Sequence, residues 1–210
     1  MEHEIDWLRR DVLDDAEIRP RVDDELLDRV LIGGRQPARI LIVDYDPAWP
    51  LRYERERARI GAALKGRARR IEHVGSTSVP GIAAKPRIDI LLVVEDPSAE
   101  STYVPALEAA GYVLHSREPD WYQHRMLTSP EIDLNLHVLP AGCAEIDRML
   151  RFRDHLRQNE ADRQLYERTK RQLAQRHWTF MQDYADAKSQ VVEEIIARAL
   201  ENTESGASSG

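Results

Sequence analysis

A single cysteine, Cys143, stands in a chain of 210 residues. No intrachain disulfide can form, and no cysteine-based metal cluster is available. Nor does any apolar run approach the roughly 20 residues that span a bilayer. The acidic N-terminus does not resemble a signal peptide, so a cytoplasmic protein with no membrane partner is expected. A Gly-x-Gly-x-x-Gly turn and a P-loop are both missing, and strands do not alternate regularly with helices, which argues against a Rossmann-type fold. Trp7, Trp49, Trp121 and Trp178 are too scattered to form a stacking platform. No internal repeat is present.

Acid exceeds base, with 37 Asp and Glu against 30 Lys and Arg and a formal charge of −7. That balance argues against general nucleic-acid binding. The excess is local: residues 1–32 hold eleven Asp/Glu and five Arg, a balance of −6, which leaves about −1 for the rest. Arg52 to Arg70 carries eight bases against Glu54 and Glu56. Such a run is either a solvated helix face with intrahelical ion pairs or a local positive field for a phosphate-bearing ligand.

The length suits one well-buried core that removes roughly 70% of the unfolded surface from water. Residues 1–35 read as an acidic helical extension of two short helices separated at Arg19-Pro20, able to pack on a protein partner or a second copy through residues 1–32. Residues 36–142 read as an α+β core. Its expected elements are strands at Ile40–Val43, up to Val74, Arg87–Val94, Tyr112–Ser116, Gln123–Leu127 and Ile132–Leu139. Helices are expected from Trp49 towards Gly66 and from Ser98 to about Ala110. Residues 143–202 read as a C-terminal bundle of three helices broken near Asn159 and Trp178, and 203–210 as a disordered tail. The sheet is expected to be mixed or antiparallel, with helices segregated from it.

Chemistry concentrates between Ile71 and Val94. Gly75-Ser76 after a strand lets backbone approach a ligand, and Ser76, Thr77 and Ser78 supply hydroxyls for phosphate oxygens, or else simply cap the turn. Thirteen residues after Ser76, Asp89 sits inside the apolar run Ile88–Val94, where burying a carboxylate is costly without compensation. Lys85 precedes that strand as a phosphate- or carboxylate-reaching ammonium or a solvated loop lysine. His73 and His137, each on an expected strand, are phosphate ligands, general bases or metal ligands, or structural histidines. Arg153 and Arg157 share a helix face and either grip an anion or pair with sheet carboxylates. Tyr166 with Lys170, and Tyr184 with Lys188, repeat the four-residue spacing and are candidates to line the cleft between sheet and bundle. Tyr166 and Lys170 are read as substrate- or phosphate-binding, and packing is the preferred reading of the second pair.

His73-Val-Gly-Ser-Thr-Ser-Val-Pro-Gly81 and Ala84-Lys-Pro-Arg-Ile-Asp-Ile90 together resemble the signature of the GrpB family. Tyr45-Asp-Pro-Ala-Trp49, Leu136-His-Val138, Leu150-Arg-Phe-Arg-Asp-His-Leu-Arg157 and Tyr166-Glu-Arg-Thr-Lys170 fit its other landmarks in order, over about residues 40–200. GrpB proteins are similar in pattern to the polymerase-beta-like nucleotidyltransferase superfamily. That resemblance implies a nucleotidyltransferase-like mixed sheet, a nucleoside triphosphate substrate, Mg²⁺ and transfer of a nucleotidyl group to a small-molecule acceptor. Carried over, Gly75 and Ser76 contact phosphates and Asp89 is a metal ligand. The superfamily pattern asks for a second carboxylate at position 91, where this chain has Leu91; Asp133 is the substitute expected to share an ion with Asp89. GrpB-like domains also occur fused to dephospho-coenzyme A kinase, which implies a rival role as a non-catalytic nucleotide- or cofactor-binding module. A third reading is other group-transfer chemistry centred on His73, Lys85 and His137.

Overall fold

The computed structural model describes residues 24–32, 34 and 40–207. Helix α1 (Asp24–Val30) buries Leu27 and Val30, and the chain then bridges from Leu31 to Ser116. The other helix expected in the extension lies outside the described residues. Helix α2 (Ala48–Leu64) presents Trp49, Tyr53, Ile60 and Leu64 to the core at helical spacing. It ends as Lys65 and Gly66 turn left-handed.

Five strands form one mixed sheet: β1 (Arg70–Val74), β2 (Ile88–Val94), β3 (Val113–Glu118), β4 (His124–Thr128) and β5 (Leu134–Pro140), in the order β1-β2-β5-β4-β3. Only β2 and β5 run parallel, with Asp89 opposite Asn135 and Leu91 opposite His137. β2 is central and covered on both sides, which is why it reads as an almost unbroken apolar run. Ile88, Ile90, Leu92 and Val94 face α2 and α3 (Val104–Ala109) together with Leu134, Leu136 and Val138. Leu91, Val93 and Leu139 face the other way, onto Ile146 and Leu150.

Two core elements depart from the expectation. The strand at Ile40–Val43 shrinks to one bridge, in which Val43 and Ala84 exchange N–H···O bonds of 2.9 Å. The next such pair along an antiparallel ladder would be Leu41 with Pro86, and proline has no N–H to give. The expected helix 98–110 divides into a 3₁₀ turn at Glu100–Thr102 and the short α3, because Pro105 is tolerated only in a first helical turn.

The C-terminal segment holds four helices where three were expected: α4 (Ala144–Gln158), α5 (Glu160–Ala174), α6 (Met181–Ala187) and α7 (Ser189–Ala207). Asn159 makes the first break by capping α5, its Oδ1 accepting from Asp162 N at 3.0 Å. The additional break falls at Lys188, whose N–H bonds the carbonyl three residues back at 3.2 Å. α7 runs on to Ala207, past the boundary expected at 202. No helix among the described residues is long and apolar enough to cross a membrane.

Buried Asp162 ties these helices together. It accepts from His155 Nε2 at 2.6 Å and from Arg198 Nη2 and Nε at 2.7 and 3.0 Å, joining α4, α5 and α7. Asp162→Asn is therefore expected to cost roughly 2–3 kcal/mol, the scale of losing charged hydrogen bonds. Urea denaturation measures it, and a loss of less than about 0.5 kcal/mol would contradict the tie. The same helices hold the loop that follows β1: Val79 and Ile82 pack with Leu156, Tyr166, Val191 and Ile195.

Candidate functional site

β1 delivers the chain to Gly75, whose φ of 68° and ψ of −176° lie where only glycine sits comfortably. A Cβ there would stand 2.4 Å from Asp89 Oδ2. Glycine at this position is thus what lets a strand carboxylate rest against the turn. The chain then makes a 3₁₀ turn at Ser76–Ser78, and Ser78 Oγ donates to the Gly75 carbonyl at 2.6 Å.

Thr77 Oγ1 donates to the Arg87 carbonyl at 3.0 Å and lies 3.1 Å from His73 Nε2. With the hydroxyl proton so committed, His73 must donate through Nε2. Burial pushes the His73 imidazole down to about 4, against the pull of Asp89 and with the help of Arg157 and Arg153. It is neutral at pH 7, stacked on Tyr53 at 4.7 Å, and acts as a latch between β1 and the turn. Among the turn hydroxyls, Ser76 alone has no hydrogen-bond partner among the described residues and remains available to a ligand.

Arg153 and Arg157, left open between anion and protein partners, are occupied by protein. Arg153 donates to Glu72 Oε2 at 2.8 Å and to the His73 carbonyl at 3.1 Å. Arg157 sends Nε and Nη2 to the Ser78 carbonyl at 3.1 and 2.9 Å. Both fasten α4 to the turn from behind. Tyr166 is likewise internal: its ring meets Phe152 edge-on and carries Lys170 Nζ at 4.6 Å from its centre.

A cleft of about 200 Å³ opens in front of the turn, where Ser76, Thr77, Lys85, Arg87, Asp89 and Asn135 meet Lys170, Met181, Tyr184 and Lys188. Asp89 is held in place rather than left bare. Asn135 Nδ2 donates to its Oδ1 at 2.9 Å, and His137 Nε2 lies 3.8 Å from the same oxygen. Burial raises the Asp89 carboxyl, but His137, Asn135 and Arg87 together bring it below the ordinary aspartate value, so it is charged at neutral pH.

Behind Asp89 runs a chain of side chains across the sheet. Glu118 Oε1 lies 3.0 Å from His124 Nδ1, and His124 Nε2 lies 3.2 Å from His137 Nδ1. His137 therefore belongs to the support of Asp89 and not to the lining of the cleft. No local signal marks Glu118 and His124, because only the β3-β4-β5 register brings them together.

Asp133, the expected second ligand, is engaged by Arg87 Nε, and register places Asn135 opposite Asp89. Leu91 is fully buried between the sheet and α4, in an apolar cluster with Ile146 and Leu150. No group of three or more His, Cys, Asp or Glu side chains among the described residues could hold a metal ion.

The electrostatic balance of the cleft is the reverse of that of the whole chain. Lys85, Lys170 and Lys188 contribute three ammonium groups, and none has a carboxylate within salt-bridge distance among the described residues. Lys85 Nζ contacts Met181 Sδ at 3.6 Å, Lys170 Nζ donates to the Ala83 carbonyl at 2.5 Å, and Lys188 Nζ lies over the Tyr184 ring at 4.6 Å. Burial and the neighbouring Lys188 push Lys170 down to about 7. Burial, with Arg87 close by, also lowers Lys85. Sequence reasoning reached Lys85 and Lys170 but passed over Arg87 and Asn135, and it read Tyr184 with Lys188 as packing.

Comparison with known proteins bears on this geometry. The family model described as GrpB protein matches residues 39–198. The chain is 54% identical over 188 residues to the UPF0157 protein BH1888 of Halalkalibacterium halodurans, covering 89% of this chain and 96% of that one. A shorter match, 43% identical over 86 residues, covers 39% of this chain and 21% of a protein named dephospho-CoA kinase from Mycolicibacterium paratuberculosis. Among solved structures, the conserved protein GrpB from Enterococcus faecalis aligns with a TM-score of 0.67 and 32% identity, over 78% of this chain and 99% of that one. A glycine turn cradling a strand carboxylate, on a mixed sheet and within a match of this extent, places the chain in the GrpB family.

Proposed function

We propose that this protein binds a nucleoside triphosphate by its phosphates in the cleft, with Mg²⁺, and transfers a nucleotidyl group to a small-molecule acceptor. The observation that carries the binding is the convergence of three unpaired ammonium groups on Ser76 and Asp89. Lys170 is buried and Lys85 and Lys188 are half-buried; cations so placed without carboxylate partners are costly, and an anionic ligand compensates them. Nucleotidyl transfer is what the family's likeness to nucleotidyltransferases adds.

The donor set decides how Mg²⁺ could be held. Asp89 offers one fixed carboxylate, and Mg²⁺ commonly takes one or two carboxylates together with phosphate oxygens and water. These residues fit an ion that arrives with the nucleotide, not one caged beforehand. When bound, it would neutralise phosphate charge. The chain's own part is positional. Lys85 and Ser76 hold phosphate oxygens, Asn135 and His137 keep Asp89 oriented, and Gly75, having no Cβ, leaves room for the Asp89 carboxylate against the turn.

The test is calorimetry with a triphosphate panel, with Mg²⁺ and with chelator, alongside a product assay. Mg²⁺-dependent binding and turnover are expected. Asp89→Asn should then lower turnover by on the order of 100-fold or more, the scale of removing one electrostatic catalytic group. Absence of both binding and turnover across the panel would overturn the reading. The apolar burial of Leu91 favours one rival, a binding module without transfer, under which nucleotide binds but no product forms and Asp89→Asn leaves cellular function intact.

A further inference from the structure

We infer that the helical wall of the cleft, formed by Lys170, Tyr184 and Lys188, is a second anion subsite, so that the ligand carries two linked anionic groups, as a diphosphate does. One group sits at Ser76 and Lys85 on the strand side; the other meets the wall. The inference rests on the anion-binding half of the reading above and is independent of nucleoside recognition and of transfer.

Three observations carry it. First, Tyr184 is 3% exposed and lines the cleft, yet its hydroxyl has no hydrogen-bond partner. A buried hydroxyl left unpaired costs roughly 1–3 kcal/mol unless something occupies it. Second, Lys170 and Lys188 lie close enough to oppose each other's charge, and no carboxylate within salt-bridge distance relieves them among the described residues. Two like charges facing a cavity beside an orphaned hydroxyl form an arrangement that an anion completes. Third, Lys85 and Lys188 line the same cleft of about 200 Å³, so one short ligand in it meets both walls. That volume accommodates a compact polyanion.

The predicted result separates a ligand role from a packing role. Tyr184→Phe removes only the unpaired hydroxyl, so thermal stability should be unchanged or higher, whereas a structural hydroxyl would lower it. The probes are inorganic pyrophosphate and inorganic orthophosphate, measured by calorimetry on the full chain without Mg²⁺. Pyrophosphate should bind at least about tenfold more tightly than orthophosphate. Tyr184→Phe and Lys188→Met should each weaken pyrophosphate roughly five- to tenfold and leave orthophosphate within about twofold. Lys85→Met should weaken both. Equal affinity for the two anions, or no effect of either wall variant, would overturn the inference. A nucleoside triphosphate arm keeps the two proposals apart. Wall-dependent pyrophosphate binding without nucleotide binding retains the subsite and sinks the nucleotide reading. Nucleotide binding indifferent to Tyr184 and Lys188 does the opposite.

Discussion

Gly75→Ala is expected to abolish anion binding in the cleft and to lower stability by roughly 3 kcal/mol, the upper range for a side chain forced into a glycine-only conformation. Two effects combine at this residue. The backbone angles are those of glycine, and the added methyl would stand 2.4 Å from Asp89 Oδ2 and 3.0 Å from its Cβ. Either the turn or the strand must shift, and β2 is paired on both sides and cannot. Gly81→Ala is the control, because φ is +79° there and nothing lies within 4 Å of the added Cβ. That variant should lose only about 1 kcal/mol and keep its ligand. Urea denaturation and calorimetry of both variants would decide; equal losses in the two would show that the Asp89 contact is irrelevant.

The second large effect concerns position 91. Leu91→Asp would restore the acidic pattern of the wider superfamily, and it is expected to cost on the order of 4–5 kcal/mol or to prevent folding. The leucine is fully buried in an apolar cluster with Val93, Leu139, Ile146 and Leu150, where a carboxylate is costly to desolvate. The variant should gain no Mg²⁺ affinity, since α4 covers the position. Titration of Mg²⁺ by calorimetry, with Leu91→Met as a packing control near wild-type stability, tests this. A stable Leu91→Asp protein that binds Mg²⁺ without nucleotide would refute it.

Much of the site was readable locally because its parts are local. Gly75 and Ser76 follow a strand directly, and a carboxylate within an apolar run stands out at Asp89, since its burial demands compensation. Helix periodicity placed Arg153 and Arg157 on one face but could not say what that face met. They hold the backbone carbonyls of His73 and Ser78. Equal spacing made Tyr166 with Lys170 look like Tyr184 with Lys188. In the fold the first tyrosine supports its lysine from inside, and the second lines the cleft with its buried hydroxyl left unpaired. Pro86 and Pro105 were visible in the chain, yet their effect depended on ladder register and helix phase.

The sequence by itself determined the family, the mixed fold, and the pairing of a glycine turn with Asp89, because turn chemistry and hydrophobic period act over neighbouring residues. Tertiary structure alone decided the surroundings of Asp89. The parallel register of β2 with β5 set Asn135 beside it, and the sheet order lined up Glu118, His124 and His137 behind it. The packing of α4 closed position 91, and α5, α6 and the break at Lys188 brought two further cations and an unpaired hydroxyl to the cleft that Ser76 lines. Electrostatic and hydrogen-bond partners depend on distance in space, and residues nearly a hundred positions apart become neighbours only once the core has formed.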